Sequence, residues 1–307
     1  MIDLRRTVFL LQLVLLASCK KMNVLFLVSD DLRPEINAYR GRDFPSTVHP
    51  KLHTPNLDDL CSRSLVLKRA YVQQAICSPS RTSLLTGRRP DTTHVYDLKT
   101  YFRKSGGNFT TIPQYFKEHG YQSIGMGKIF HPGEKASGKD DPISWSEPYY
   151  HASRYWQSAN HSWRAVTDSE RKRNPLPDED ITLHALEVMR NLVHANNRTN
   201  RPFFLAVGYH KPHLPFIFPD KFLGYYPEDV IRLPNNQYAP VNMPPVAWTD
   251  YGELRKYHDI RKLHASGEPN TTLPAKVVKQ LRRAYYRYNV RIKVVPTCNT
   301  YLVYMYF

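Results

Sequence analysis

The chain has 307 residues, 41% of them hydrophobic and 12% aromatic, with a formal net charge of +16. That length and apolar content exclude a disordered chain and leave room for one large domain with a real core, or for two small ones. The charge fits attraction to a polyanion or simply a solvated basic surface; the basic residues are scattered, with short clusters such as Arg171-Lys172-Arg173.

In chain order, residues 1–19 read as a secretory signal peptide: a basic start, a short apolar run, then small residues. The apolar run, residues 7–17, is too short to span a bilayer, and no later stretch is long and apolar enough. Four N-x-S/T sites, at Asn108, Asn160, Asn197 and Asn270, jointly support the secretory route, where nucleic acid is not an expected partner. With Cys19 assigned to the leader, Cys61, Cys77 and Cys298 remain, and an odd count leaves one thiol without a partner.

Residues 23–29 form a continuous apolar run that ends on Asp30 and Asp31, the pattern of a strand buried on both faces of a parallel sheet. Residues 56–69 have helical spacing, and a further helix is expected over residues 80–86, begun by Pro79. A helix over 112–119, a Gly120 cap and a short strand over 121–126 follow. Residues 180–195 are an amphipathic helix, and "RPFFLAVGYHKPHLPF" is a second buried strand running into a polar loop. Residues 160–177 and 225–274 read as long surface loops. Strand and helix alternate, so the expected class is α/β, a mixed and mostly parallel sheet between helices.

Four polar sets sit at the ends of these elements, where ligands bind in open α/β sheets. The first is Asp30–Asp31. Two adjacent carboxylates repel unless a cation lies beside them; a hard divalent ion would serve, and a helix cap plus a solvated acid is the plainer alternative. Cys77 is expected just before a helix N-terminus, where the dipole and Arg81 favour an anion; the alternative is a small hydrophobe packed in a turn. Lys128 and His131, after the strand over 121–126, are the third set, and His210, Lys211 and His213, after the next buried strand, the fourth. Each set taken singly is compatible with a surface loop. Together they describe a pocket for a tetrahedral dianion beside a divalent metal.

"CSPSRTSLLTG", from Cys77, resembles the first signature of the sulfatases, and "GYQSIGMGKIFH", ending at His131, resembles the second. The likeness runs from about residue 23 to about residue 286. It implies the alkaline-phosphatase-like sulfatase fold, and the segments around Cys77, His131 and His213 look most like members that remove 2-O-sulfate from iduronate in heparan and dermatan sulfate. The resemblance further implies that Cys77 is oxidised to formylglycine by a formylglycine-generating enzyme and serves as nucleophile and metal ligand. It assigns Asp30 and Asp31 to one calcium ion, Arg81 to steadying the formylglycine and the metal-bound charge, Lys128 and His213 to the sulfate, and His131 to the attacking hydroxyl. Lys211 follows as a further substrate contact. Glycosylation at the four asparagines and a lysosomal or secreted destination belong to the same set of implications.

The family carries further metal ligands on a later Asp-His-Gly strand, and no such motif is found here; "TDYG" (249–252) and "YHDI" (257–260) lie in the wrong context. The expectation is a shortened family member: residues 1–19 a leader, 23–290 an incomplete sulfatase domain, 291–307 a divergent, β-prone tail. Two other readings stay open, another formylglycine hydrolase (an arylsulfatase or a phosphonate monoester hydrolase) and a non-catalytic secreted glycan-binding fragment.

Overall fold

The computed structural model describes residues 21–41, 49–152 and 160–288. The expected leader and tail lie outside these residues, as does the side chain of Asn197.

Three strands form the central sheet: β1 (Val24–Ser29), β2 (Gln122–Gly127) and β4 (Phe203–Tyr209). They are parallel, in the order β1-β4-β2, with Leu25 opposite Leu205 and Ile124 opposite the same residue. Every residue of β1 and β4 is buried, as continuous apolar runs in a sheet covered on both faces must be. Alternate side chains point to opposite faces and build two cores. Leu25, Leu27, Ile124, Met126, Leu205 and Val207 pack on one side; Val24, Phe26, Val28, Phe204 and Ala206 on the other.

The first core is closed by helix α5 (Pro177–Thr199), which presents Ile181, Ala185, Met189 and Leu192 at helical spacing. Each large apolar side chain buried this way contributes about 1.5–3 kcal/mol before chain entropy is counted. The second core is closed by Leu85 from helix α2 (Cys77–Thr86), with Phe102, Ile129, Phe130 and Trp145. Helix α3 (Ile112–Glu118) starts on a capping box in which Thr111 and Gln114 satisfy each other's backbone N–H groups.

Several expected boundaries move. Helix α1 spans Pro55–Ser62, stopping well short of residue 69. Beyond Leu60 the apolar side chains Leu65 and Leu67 face solvent, so nothing repays helix continuation there. Residues 160–177 are not simply a loop. They hold strand β3 (Trp163–Val166), which pairs in parallel with β5 (Phe216–Pro219), and helix α4 (Asp168–Arg173), capped by Thr167 and Glu170. Residues 225–274 do lack long elements, holding short helical turns such as His258–Arg261. Helix α6 (Ala275–Tyr288) then packs against β5. Among the described residues no helix is long and apolar enough to cross a membrane.

Candidate active site

Because β1, β2 and β4 run in one direction, their C-terminal ends share one edge of the sheet. The polar residues that follow them therefore converge: Asp30 and Asp31 after β1, Lys128 and His131 after β2, and residues 210–213 after β4. The approach is close because of two glycines. A Cβ on Gly127 would stand 2.0 Å from the Gly208 carbonyl oxygen, and one on Gly208 would stand 2.2 Å from the Lys128 carbonyl. Gly127 also has φ +72°, a left-handed conformation that costs other residues energy. The Lys128 N–H then donates to the Gly208 carbonyl at 2.8 Å, which seats Lys128 at the sheet edge.

Cys77 is the first residue of α2, not the residue before it; Ile76 is the cap, and its carbonyl accepts the Ser80 N–H at 3.0 Å. The helix ends where Gly87 adopts φ +65° and donates its N–H to the Ser83 carbonyl. Most of α2 is buried although its side chains are largely polar. Arg81 explains this. Its Nη2 donates to Asp30 Oδ1 at 2.6 Å, and its Nη1 donates to the Ile129 carbonyl at 2.9 Å and to the Lys128 carbonyl. One guanidinium thus ties α2 to the exits of both β1 and β2.

The other Asp30 oxygen accepts from Lys128 Nζ. Asp30, Arg81 and Lys128 are all nearly inaccessible. Burial works against ionisation of Asp30, but Arg81 and Lys128 outweigh it and hold the carboxyl far below the usual carboxylate range. Asp31 behaves differently. It adopts φ +56°, its side chain is about half exposed, and partial burial together with the charge on Asp30 raises its pKa.

The Cys77 thiol lies 3.8 Å from Asp30 Oδ1 and accepts from Lys128 Nζ at 3.7 Å. His213 completes the arrangement. Its Nδ1 is 2.6 Å from the Leu214 carbonyl; its Nε2 lies 3.8 Å from Asp31 Oδ2 and 3.4 Å from Glu253 Oε1. Burial disfavours the imidazolium, yet the hydrogen bond with Cys77 and the neighbouring carboxylates lift its pKa to about 9. His131 moves the other way. Burial, then the charges of Lys128 and Arg81, lower it to about 4, and its buried Nδ1 has no hydrogen-bond partner among the described residues.

Single ligand atoms of Asp30, Cys77 and His213 lie within 4.8 Å of one another. This set does not match calcium. The ion takes six to eight oxygens, whereas Asp30 is committed to Arg81 and Lys128, Asp31 adds one more carboxylate, and the remaining atoms are sulfur and nitrogen. The "TDYG" and "YHDI" segments have structural tasks: Asp250 accepts from Gly252 N–H and Arg255, and Asp259 accepts from the Ser162 backbone and hydroxyl. Glu253, three residues past Asp250, is a site residue that sequence reasoning missed; a charged residue in a polar loop carries no periodic signal.

Beside Lys128 and His213 opens a cleft of about 240 Å³, which Lys211, His210, Leu176 and Ile217 also line. Asp178 lines it as well, so polar groups of both signs border an apolar wall. Of the expected glycosylation sites, Asn108, Asn160 and Asn270 are exposed. Asn108 accepts from Arg103.

The sulfatase family model matches residues 22–289. Iduronate 2-sulfatase of Homo sapiens is 39% identical over 279 residues, covering 86% of this chain and 48% of that protein. The Mus musculus counterpart is 37% identical with the same coverage. The chain spans about half the length of the curated relatives it matches. Among solved structures, the phosphonate monoester hydrolase of Agrobacterium radiobacter superposes with a TM-score of 0.55 at 16% identity, over 88% of this chain and 56% of that one. That likeness concerns the fold alone and agrees with the α/β, alkaline-phosphatase-like class expected from the sequence. With a family match over nearly all the described residues, the chain belongs to the sulfatase family.

Proposed function

We propose that this chain binds a sulfate ester between Lys128 and His213 and presents residue 77 to its sulfur, as a sulfuric ester hydrolase. The substrate is the 2-O-sulfate on iduronate residues of heparan or dermatan sulfate. The observation that carries this reading is the convergence of a part-exposed residue 77, a buried ammonium 3.7 Å from it and an imidazolium-favouring His213 at one strand-end edge. The relatives named iduronate 2-sulfatase support the substrate.

The reading of Cys77 as a formylglycine site is supported by its partial exposure, its place on the first turn of a helix and the cation beside it. Formylglycine at this position, hydrated to a gem-diol, would supply one hydroxyl to attack sulfur with release of the sugar alcohol, and a second hydroxyl whose deprotonation would expel sulfate and restore the aldehyde. The surrounding residues do the rest. Lys128 and His213 hold two sulfate oxygens, where charge grows in the transition state. His131, whose buried Nδ1 has no hydrogen-bond partner among the described residues, holds the attacking hydroxyl and assists its deprotonation. Arg81 acts at one remove: fully engaged with Asp30 and two carbonyls, it fixes the frame in which Lys128 stands. Lys211 and His210, lining the cleft, face the sugar. The resemblance assigns Asp30 and Asp31 to calcium, but Asp30 is held by Arg81 and Lys128 here, so neither aspartate is given a metal role and no step depends on an ion. The domain and trafficking assignments belong to the same proposal: a leader over 1–19, a sulfatase domain over 23–290, passage to the lysosome or the exterior, glycosylation at the four asparagines, and maturation by a formylglycine-generating enzyme.

A second reading, glycan binding without turnover, is favoured by one observation: Asp30 is already neutralised by Arg81 and Lys128, so the oxygens left for a cation are few. A panel of substrates separates the possibilities. Desulfation of a disaccharide with 2-O-sulfated iduronate, with little turnover of an aryl sulfate or a phosphonate monoester, supports the proposal. Binding of the disaccharide without release of sulfate supports the second reading.

A further inference from the structure

The loop that carries His213 is held from two sides through one residue, Lys211. On one side, Lys211 N–H donates to Asp178 Oδ2 at 3.0 Å, while the preceding His210 N–H donates to Asp178 Oδ1 at 2.8 Å. On the other, the Lys211 carbonyl accepts from Ser29 Oγ at 2.6 Å and from Asp30 N–H at 3.1 Å. Asp178 is only 8% exposed and stands in the first turn of α5, where the helix dipole favours a carboxylate. Both its oxygens are occupied by backbone donors, so it acts as a clamp rather than as a ligand. Two residues beyond the clamped peptide, His213 meets Asp31 and Glu253.

We propose that Asp178 is a positioning residue for His213: by gripping the 210–211 backbone against the end of β1 it fixes the distance of the imidazole from residue 77. The value of the clamp lies in its two matched acceptors. An asparagine at this position keeps one acceptor and turns an amide N–H₂ toward the second backbone donor, so one hydrogen bond becomes a repulsive contact. The loop then shifts while α5, packed through Ile181, Ala185 and Met189, stays in place.

The inference rests on the reading of His213 as a sulfate contact, but its first test does not. In the full chain, the ¹H–¹⁵N resonances of the His213 imidazole are recorded for the natural protein, Asp178→Asn and Asp178→Glu. Movement of these resonances in both variants supports the clamp, and unchanged resonances overturn it. Where Asp178→Asn fails to fold, Asp178→Glu decides alone, since it keeps the charge and displaces the grip by one methylene. The second test is a double-mutant cycle on binding of inorganic sulfate. Asp178→Asn is expected to weaken binding about tenfold in the natural background and less than about twofold in the His213→Ala background. Equal losses in both backgrounds show a general structural role and overturn the proposal. If the natural chain binds no sulfate at all, the functional reading fails, and the His213 resonances still decide whether Asp178 positions that ring.

Discussion

Lys128 Nζ bridges two groups with different tasks: it neutralises the buried Asp30 carboxylate and stands 3.7 Å from Cys77 Sγ. A single cation therefore holds the strand-end edge together and, on the proposed function, also meets an anion at residue 77. The two contributions separate by mutation. Lys128→Met leaves Asp30 buried with Arg81 as its remaining cationic partner, and is expected to cost about 3 kcal/mol in urea unfolding. Lys128→Arg keeps the charge and recovers most of that stability, but not sulfate binding, because a planar fork does not replace a point charge on a short approach. Equal stability of Lys128→Met and the natural chain contradicts the account.

The glycine pair makes a sharper structural test. Gly208→Ala puts a methyl group 2.2 Å from backbone atoms of Lys128, where no side-chain rotation relieves the clash. The expected cost is about 3 kcal/mol, at the upper end for overpacking, with a matching fall in thermal midpoint. Gly87→Ala, with open space around its Cβ, carries only the strain of its φ of +65° and is expected to cost about 1 kcal/mol.

His131 predicts a pH dependence with a defined sign. Its ordinary pKa of 6.5 falls to about 4 in the fold, through burial and the charges of Lys128 and Arg81. The unfolded chain thus takes up this proton at higher pH than the folded one. The stability linked to His131 is fully present above pH 6.5 and is lost as pH falls through that value toward about 4. Thermal midpoints measured from pH 8 to pH 4 should decline less steeply in His131→Gln than in the natural chain. Parallel curves would show that His131 does not titrate as described.

Calcium tests the donor set. With Asp30 engaged by two cations and few other oxygens at hand, isothermal titration of the chain with calcium is expected to give no binding tighter than about 1 mM, as in the weakest extracellular calcium modules. Micromolar binding abolished by Asp31→Asn would show a cage that these residues do not compose.

Much of this site was legible in the sequence because its geometry follows from one rule. Parallel strands end on one edge, so residues after three apolar runs must meet, and Asp30, Lys128 and His213 do. The two signature segments located Cys77, Arg81 and His131 before any contact was known. What stayed hidden is what lacks a period or a motif. Strand β3 has four residues and α4 six, too short for a helical or alternating pattern to stand out among polar neighbours. Glu253 and Asp178 act across long stretches of chain, through a side-chain pair and a backbone clamp, and neither leaves a trace in local composition. The opposite protonation preferences of His131 and His213 depend on which charges fold beside each ring, information that exists only in three dimensions.

The central claim, that residue 77 is the nucleophile of a sulfate-ester hydrolase, is tested most directly by turnover. The chain and its Cys77→Ala variant are produced with a formylglycine-generating enzyme, the peptide spanning residues 75–88 is weighed, and both proteins are offered a fluorogenic methylumbelliferyl iduronide 2-sulfate. The account predicts a formylglycine mass at position 77 and desulfation that disappears in Cys77→Ala. Desulfation at the same rate in both proteins would contradict it.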